Sequence, residues 1–153
     1  MSQSSERPRK PEPRLADYPH QVTDIIRYAD LDPQGHVNNA VFSTYLESGR
    51  VAMFRNRDLG IGIENATIVL VRQEIDFLRE LRWPGDVTVG TGLMRLGRTS
   101  FTTAQVIFDG EHCAAIGRAT LVMLDATTRQ PRPLPPEAIA RLEQWRYRGP
   151  DAT

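Results

Sequence analysis

The stretch from Arg27 to Arg50 constrains the fold most, because it joins a loop with two carboxylates directly to a helix. In one-letter code it reads RYADLDPQGHVNNAVFSTYLESGR. Proline fixes φ and glycine permits positive φ, so Pro33 and Gly35 predict a sharp change of backbone direction. Asn38 stands just before an apolar pattern with a period near 3.6, and asparagine is a preferred N-cap. The sequence therefore predicts a helix that begins here and buries one face.

The predicted loop and helix together supply groups that can attack a carbonyl carbon. Asp30 and Asp32 provide the carboxylates, and the helix N-terminus provides free N–H groups with a partial positive charge. Such donors stabilise an oxyanion. An aspartate before Pro33 also commonly caps local N–H groups in a turn, and the spacing alone favours this structural role for Asp32.

With the order of elements that follows them, these residues resemble the motif of the hotdog-fold acyl-CoA thioesterases, in the 4-hydroxybenzoyl-CoA thioesterase-like superfamily. The variant His-Val-Asn-Asn is similar to the branch that acts on long-chain acyl-CoA and acyl-carrier-protein thioesters. The resemblance covers roughly residues 20 to 126. It implies an α+β hotdog fold, in which a curved antiparallel sheet wraps round one long central helix. The matching residues are an aromatic, then Asp30, Asp32, Gly35, His36, Val37, Asn38 and Asn39, and on the helix Tyr45, Glu47 and Arg50.

By the same resemblance, the expected activity is hydrolysis of an acyl-CoA thioester to the free acid and CoA. Asp32 is then the base or the nucleophile, and Asp30 is a residue that shapes the loop. His36 tunes the acid, orients water or protonates the leaving group. Asn39 supplies a backbone N–H toward the substrate carbonyl. Glu47 is the second candidate carboxylate, because another hotdog branch has a catalytic glutamate at this helical position.

Two residues of the predicted helix also have structural alternatives. Glu47 lies three residues before Arg50, and opposite charges at this spacing pair on a helix surface. Tyr45 is expected in the core, with its hydroxyl bonded to a buried partner. The sequence therefore leaves Glu47 open between catalysis and an ion pair.

A further set of residues is expected to contact the substrate. Asn38 caps the helix, and Ala40 adds a second backbone N–H beside that of Asn39. In related proteins the region of Arg95 and Arg98 lies near CoA, and the arginine fork suits phosphate, although exposed arginines are usually only solvated. The expected substrate-binding residues are Gly35, Asn38, Ala40, Arg95, Arg98 and Ser100.

The rest of the chain predicts one domain between two appendages. Residues 1–19 are polar and proline-rich and predict a flexible tail. Residues 127–153 predict a proline-rich linker and a short exposed helix at 137–145, which leaves 20–126 as the hotdog domain. The predicted elements are strands at 20–28, 67–83, 86–96, 99–108 and 112–124, a central helix from 39 to about 56, and a glycine-hinged loop at 58–63.

Composition excludes several classes of function. The net charge is zero and no apolar run approaches a membrane span, so we expect neither nucleic acid nor a membrane as partner. Lys10 is the only lysine and lies in the polar tail, which argues against Schiff-base chemistry. No His-Glu-x-x-His, Cys-x-x-Cys or Gly-x-Ser-x-Gly pattern occurs. We therefore expect no metal and no cofactor.

The remaining expectations concern partners and location. Cys113 is the only cysteine, so no internal disulfide can form and we expect a cytoplasmic protein. A single open sheet leaves exposed edges, so we expect a homodimer or homotetramer that binds acyl-CoA. Two alternatives to acyl-CoA hydrolysis stay open: a non-catalytic acyl-CoA-binding or regulatory hotdog domain, and an acyl-carrier-protein thioesterase.

Overall fold

The computed structural model describes residues 11–55 and 62–152. Much of the glycine-hinged loop predicted at 58–63, and the first ten residues of the predicted tail, lie outside these ranges. The described residues form β1 (His20–Ile26), α1 (Asn39–Phe54), β2 (Ala66–Phe77), β3 (Gly85–Leu96), β4 (Ser100–Asp109), β5 (His112–Asp125) and α2 (Pro136–Glu143). The predicted order of one strand, one helix and four strands is confirmed.

The five strands form one antiparallel sheet in the order β1-β3-β4-β5-β2, so β1 and β2 are its edges. The sheet curves round α1, and the α+β hotdog architecture implied by the resemblance is confirmed. Ile26 pairs with Gly85, and Leu96 pairs with Phe101. The loop that follows β1 therefore lies at one end of the sheet, and the β3–β4 turn lies at the other.

β2 is shorter than predicted, because the chain leaves the sheet after Phe77. The N–H groups of Leu78 and Arg79 both donate to the Ala114 carbonyl, at 2.9 and 3.1 Å, and this shared acceptor ends the ladder. The chain then passes beneath the loop after β1, where the Val37 N–H donates to the Leu81 carbonyl at 2.9 Å. This crossing segment brings residues 78–83 to the predicted carboxylate loop.

The core lies between α1 and the inner face of the sheet. The apolar side of α1 is buried at the helical spacing that the sequence predicted, as at Phe42, Leu46 and Met53. The helix approaches the sheet closely at Gly49, because a Cβ there would lie 2.5 Å from Cγ1 of Val89. Glycine at this position lets the helix backbone rest directly on the sheet.

Residues of both predicted appendages are buried against the sheet. Tyr18, placed in the flexible tail, is 2% exposed, and its ring centroid lies 5.0 Å from that of Tyr147. Gly90 on the outer face of β3 makes room for this packing, since a Cβ there would lie 2.8 Å from Cβ of Tyr18. The C-terminal helix, predicted to be exposed, buries Ala138 and Leu142 completely. Residues on both sides of the predicted domain 20–126 therefore pack against it.

Neither α1 nor α2, nor any other helical segment in the described ranges, is long and apolar enough to cross a membrane.

We predict that Gly49→Ala lowers the free energy of unfolding by about 1–3 kcal/mol, because the added methyl overpacks the contact with Val89. Urea unfolding followed by circular dichroism measures the change. Ser48→Ala is the control, since Ser48 is exposed on the same helix. Alanine normally stabilises a helix by up to about 1 kcal/mol relative to glycine. A more stable Gly49→Ala protein would therefore contradict this packing.

Candidate active site

Asp32 organises the loop between β1 and α1. Its Oδ1 accepts hydrogen bonds from the N–H groups of Gln34 (2.8 Å) and His36 (3.2 Å). Its own N–H donates to the His36 carbonyl at 2.7 Å, and Gly35 closes the turn with a φ of +82°. Asp32 is half-buried, and its Oδ2 makes no hydrogen bond within the described residues. The carboxylate therefore shapes the loop with one oxygen and leaves the other available.

Asp30 fixes this loop to the helix. The carboxylate is 2% exposed and accepts hydrogen bonds from the Tyr45 hydroxyl (2.9 Å) and from the backbone and side chain of Arg27. Burial raises the pKa of Asp30, but the hydrogen bonds from Arg27 and Tyr45 outweigh it and lower the pKa. The Asn38 N–H donates to the Asp30 carbonyl at 2.9 Å. Asp30 is therefore the loop-shaping residue that the sequence predicted, and Tyr45 is the predicted core residue with a bonded hydroxyl.

The N-terminus of α1 differs in one respect from the prediction. Asn38 caps the helix as expected, but its Oδ1 accepts from the N–H of Ala40 at 2.9 Å. This N–H was expected to bind the substrate carbonyl and is already used by the cap. The N–H of Asn39 donates no hydrogen bond within the described part of the chain. The backbone N–H of Asn39 is therefore the one available to the substrate carbonyl.

His36 lies against the crossing segment that follows β2. Its Nε2 is 3.1 Å from Nη2 of Arg82 and 3.1 Å from Oε2 of Glu80. Nε2 accepts from Arg82 in one tautomer and donates to Glu80 in the other, so these two residues determine where its proton resides. Sequence reasoning missed both residues, because they are more than forty positions from His36 in the chain.

Glu47 and Arg50 do not form the predicted ion pair. Glu47 is exposed on α1, whereas Arg50 is 3% exposed and donates from Nη1 to Oε1 of Gln105 at 3.0 Å. Burial lowers the pKa of Arg50. Gln105 donates in turn to the Leu46 carbonyl and to the Thr91 hydroxyl, each at 2.9 Å. The helix and the sheet approach each other closely at Gly49, and the adjacent Arg50 points inward. Arg50 is therefore not available to pair with Glu47.

The first turns of α1 also contact the edge strand β2. The Ser43 hydroxyl donates to Oε1 of Gln73 at 2.6 Å, and the rings of Phe42 and Phe77 meet edge to face at 5.1 Å. Nε2 of Gln73 is buried and has no hydrogen-bond partner among the described residues. No local pattern in the sequence indicates this contact, since Gln73 reads as one polar position of a strand.

The predicted CoA-binding residues lie far from Asp32 within one chain. Arg95 pairs with Thr102 near the end of β3, and Arg98 and Ser100 follow in the turn and in β4. Gly85, at the Asp32 end, is ten positions before Arg95 on the same strand. At about 3.3 Å per residue the separation along the strand is roughly 33 Å. A single chain therefore does not bring these residues together with the carboxylate loop.

A cavity of about 270 Å³ opens near the C-terminal end of α1. It lies at the same end of the sheet as Arg95 and Arg98, since Ala66 pairs with Asp125 and Ser100 with Val122. No cluster of three or more His, Cys, Asp or Glu side chains in the described ranges is placed to hold a metal ion. The cavity is lined by Val51, Phe54, Arg55, Gly62, Ile63, Ala66, Thr67, Ile68 and Met123.

We predict that Tyr45→Phe lowers the free energy of unfolding at pH 7 by about 1.5–3 kcal/mol, because it removes a hydrogen bond to the buried Asp30 carboxylate. A carboxylate with a lowered pKa stabilises the fold above its unfolded pKa of about 3.9, and this contribution is lost as pH falls through the folded value. The difference between wild type and variant should therefore shrink below about pH 4.

Urea unfolding between pH 2 and pH 7 measures this difference. Tyr28→Phe is the matched control, because the side chain of Tyr28 is 73% exposed. Equal effects of Tyr45→Phe and Tyr28→Phe, or a difference that grows in acid, would contradict the assigned role of the Asp30 contact.

Residues 26–142 match the family model of the thioesterase-like superfamily. No functionally curated protein matches the chain. The matched range includes α2, which agrees with the burial of that helix in the domain.

Several solved structures have the same fold. A thioesterase from Thermus thermophilus, complexed with coenzyme A and Zn, is 33% identical, with a TM-score of 0.75 over 84% of this chain and 95% of that one. A predicted thioesterase from Bacillus stearothermophilus is 28% identical, with a TM-score of 0.74 over 82% and 94%. A 1,4-dihydroxy-2-naphthoyl-CoA thioesterase from Synechocystis, 16% identical with a TM-score of 0.71 over 80% and 94%, shares the fold. On its carboxylate loop, its fold and the family match, this chain belongs to the thioesterase-like superfamily.

Proposed function

We propose that the chain hydrolyses acyl-CoA thioesters to the free acid and CoA. The observation that carries this proposal is a half-buried carboxylate on the loop that leads into a helix N-terminus. Among the described residues, one oxygen of that carboxylate and the Asn39 N–H make no hydrogen bond. Membership of the superfamily supports thioester hydrolysis. The complex of the Thermus relative with coenzyme A supports CoA as the thiol.

In the proposed mechanism the thioester carbonyl accepts a hydrogen bond from the Asn39 N–H. Asp32 takes a proton from water through Oδ2, and the hydroxide adds to the carbonyl carbon. The oxyanion that forms is stabilised at the helix N-terminus, where losing one donor typically costs about 2.7–4 kcal/mol. The C–S bond then breaks, and the proton held by Asp32 passes to the departing thiolate.

Direct attack by Asp32 is the alternative first step. It forms an acyl anhydride with the carboxylate and releases the thiolate, and water then cleaves the anhydride. A thiol pKa of about 8.5 makes the thiolate a good leaving group, so neither route requires a strong acid. In either case we assign His36, whose Nε2 contacts Glu80 and Arg82, the role of orienting the water.

We predict that Asp32→Asn reduces kcat by about 100-fold or more while the protein still folds and binds acyl-CoA, because a general base or nucleophile acts mainly in the transition state. Glu47→Gln should change kcat only slightly, since Glu47 is exposed and lies outside the loop. Steady-state kinetics on acyl-CoA measure both variants, and each has the shape of the residue it replaces.

The reverse result, with Glu47→Gln inactive and Asp32→Asn active, would move the chemistry to the helix. A wild-type protein that binds acyl-CoA without turning over any thioester would favour the non-catalytic regulatory alternative. A screen over acyl-CoA chain lengths, aromatic acyl-CoAs and acyl carrier protein thioesters separates the acyl groups and the two carriers.

We also propose that the active unit is a homodimer whose two sites each draw on both chains. The outer edge of β2 has no partner strand in the described part of the chain. The Phe77 end of β2 lies beside the first turns of α1, whereas its Ala66 end lies with Ser100 and the β3–β4 turn. Antiparallel pairing of two β2 edges would therefore place Arg95 and Arg98 of one chain near the carboxylate loop of the other. The cytoplasmic location stays a prediction.

We predict that mixing two defective proteins restores activity. Asp32→Asn lacks the carboxylate, and the double variant Arg95→Ala, Arg98→Ala lacks the proposed phosphate contacts. After subunit exchange, about half the dimers contain one chain of each variant. One of the two sites in such a dimer carries both defects, and the other is native. Activity should therefore recover to about a quarter of the wild-type value at low substrate concentration. Mixtures of each variant with the wild-type protein are the control that subunits exchange.

Light scattering accompanies this experiment. A monomer at micromolar concentration would remove the shared-site model. Exchange into mixed dimers with no recovery would show that the carboxylate and the two arginines serve the same chain.

A further inference from the structure

His36 and two residues of the crossing segment form a polar cluster beside the carboxylate loop. Nη2 of Arg82 lies 3.1 Å from Nε2 of His36 and 3.2 Å from Oε2 of Glu80. Nε2 of His36 lies 3.1 Å from the same Oε2, so three polar atoms meet within hydrogen-bond distance. The arrangement of hydrogens among these atoms decides which ring nitrogen of His36 carries the proton.

We propose that Arg82 is a positioning residue that holds His36 in the neutral form with its proton on Nδ1. The inference rests on the proposed hydrolysis and specifies how His36 acts in it. In this form the Nδ1–H donates to the oxygen of the attacking water, while Oδ2 of Asp32 accepts a proton from the same water. His36 then orients the water and transfers no proton itself.

The two hydrogens on Nη2 of Arg82 favour this form. A guanidinium donates and never accepts, so its 3.1 Å contact with His36 is a hydrogen bond only when Nε2 has no proton. Nη2 donates its second hydrogen to Glu80. One nitrogen of Arg82 therefore serves both acceptors. A proton on Nε2 would instead face an N–H of Arg82, and two donors would oppose each other.

Glu80 is the competing partner, because a carboxylate attracts a proton on Nε2. Of its two contacts in this cluster, only the one with Arg82 has the geometry of a hydrogen bond. The Glu80 side chain is 60% exposed, so it would have to turn in order to accept from His36. In the arrangement observed, Glu80 holds the guanidinium in place, and the guanidinium holds the ring.

The proton on Nδ1 is then close to the loop that carries Asp32. Nδ1 is bonded to Cγ and lies near the main chain of His36, whereas Nε2 lies on the far side of the ring, against the crossing segment. The main-chain N–H of His36 donates to Oδ1 of Asp32 at 3.2 Å. Nδ1 makes no hydrogen bond within the described residues, and the ring is 22% exposed. The Nδ1–H is therefore a donor that a water beside Asp32 can use.

Nitrogen NMR of the protein without substrate locates the ring proton, because protonated and unprotonated ring nitrogens have well-separated chemical shifts. The chain has three histidines, and the spectrum of His36→Asn identifies the signals that belong to His36. Spectra are recorded at about pH 9, well above the ordinary histidine pKa of about 6.5. We predict that the wild-type ring carries its proton on Nδ1 in most molecules.

Two substitutions of Arg82 test what holds the proton there. Arg82→Met removes the donor and leaves Glu80 beside Nε2, so the ratio of the two neutral forms should shift toward Nε2–H by about 10-fold or more. Arg82→Lys keeps a donor and should reverse part of this shift. Arg79→Met is the matched control, since Arg79 is an exposed arginine of the same segment without a contact to the His36 ring among the described residues.

Steady-state kinetics on acyl-CoA test the catalytic consequence. Arg82→Met should lower kcat by about 10-fold to 100-fold with little change in KM, because a misoriented water slows the chemical step and leaves substrate binding intact. Arg82→Lys should recover part of the loss, and Arg79→Met should retain wild-type values. An Arg82→Met protein with wild-type kcat, or with a raised KM alone, would overturn the positioning role.

The NMR measurement needs no substrate, so its outcome is independent of hydrolysis. A wild-type ring with its proton on Nε2, or an Arg82→Met ring unchanged from wild type, would overturn the inference even if the protein is an active thioesterase. A wild-type protein with the proton on Nδ1 that hydrolyses no thioester would instead refute the proposed function and leave the assigned form of the ring standing.

Discussion

The buried carboxylate of Asp30 is the contact on which the geometry of the candidate site depends. It accepts from Tyr45 on α1 and from Arg27 before the loop, and its own carbonyl accepts from Asn38 at the helix cap. These bonds compensate the loss of hydration, because hydrogen bonds to a charged carboxylate are strong in a buried setting. The loop that presents Asp32 is therefore fixed to the helix whose N-terminus would receive the carbonyl.

The position of that helix depends on a second buried group. Gly49 allows the helix backbone to touch the sheet, and the adjacent Arg50 is almost fully buried. Gln105 accepts from Arg50 and donates to the Leu46 carbonyl, so one amide joins sheet, helix and guanidinium. Buried polar networks of this kind specify one arrangement, since any displacement leaves a polar group unpaired. This network fixes the helix along its length while Asp30 fixes its beginning.

Sequence reasoning identified what is local and missed what the fold brings together. Helix caps, the helical period and the limits of each strand are encoded by residues close together in the chain. Asn38 is an example, because its type and position were enough to predict the start of α1. The burial of Tyr18 depends on space left by the distant Gly90, and Leu142 is buried in a cluster with residues of distant strands, such as Leu93 and Met123. The pairing of Glu47 with Arg50 was wrong for the same reason, because helix spacing does not reveal that Gln105 lies beneath the arginine.

The proposed site and the proposed interface share one structural element. Ser43 lies one turn after Asn39 on α1, and its hydroxyl is bonded to Gln73 at the centre of the edge strand. In the proposed homodimer the partner would pair along the same edge strand, beside the turn of the helix that would receive the thioester carbonyl. Assembly and catalysis would then be coupled at the point where the helix meets the edge of the sheet.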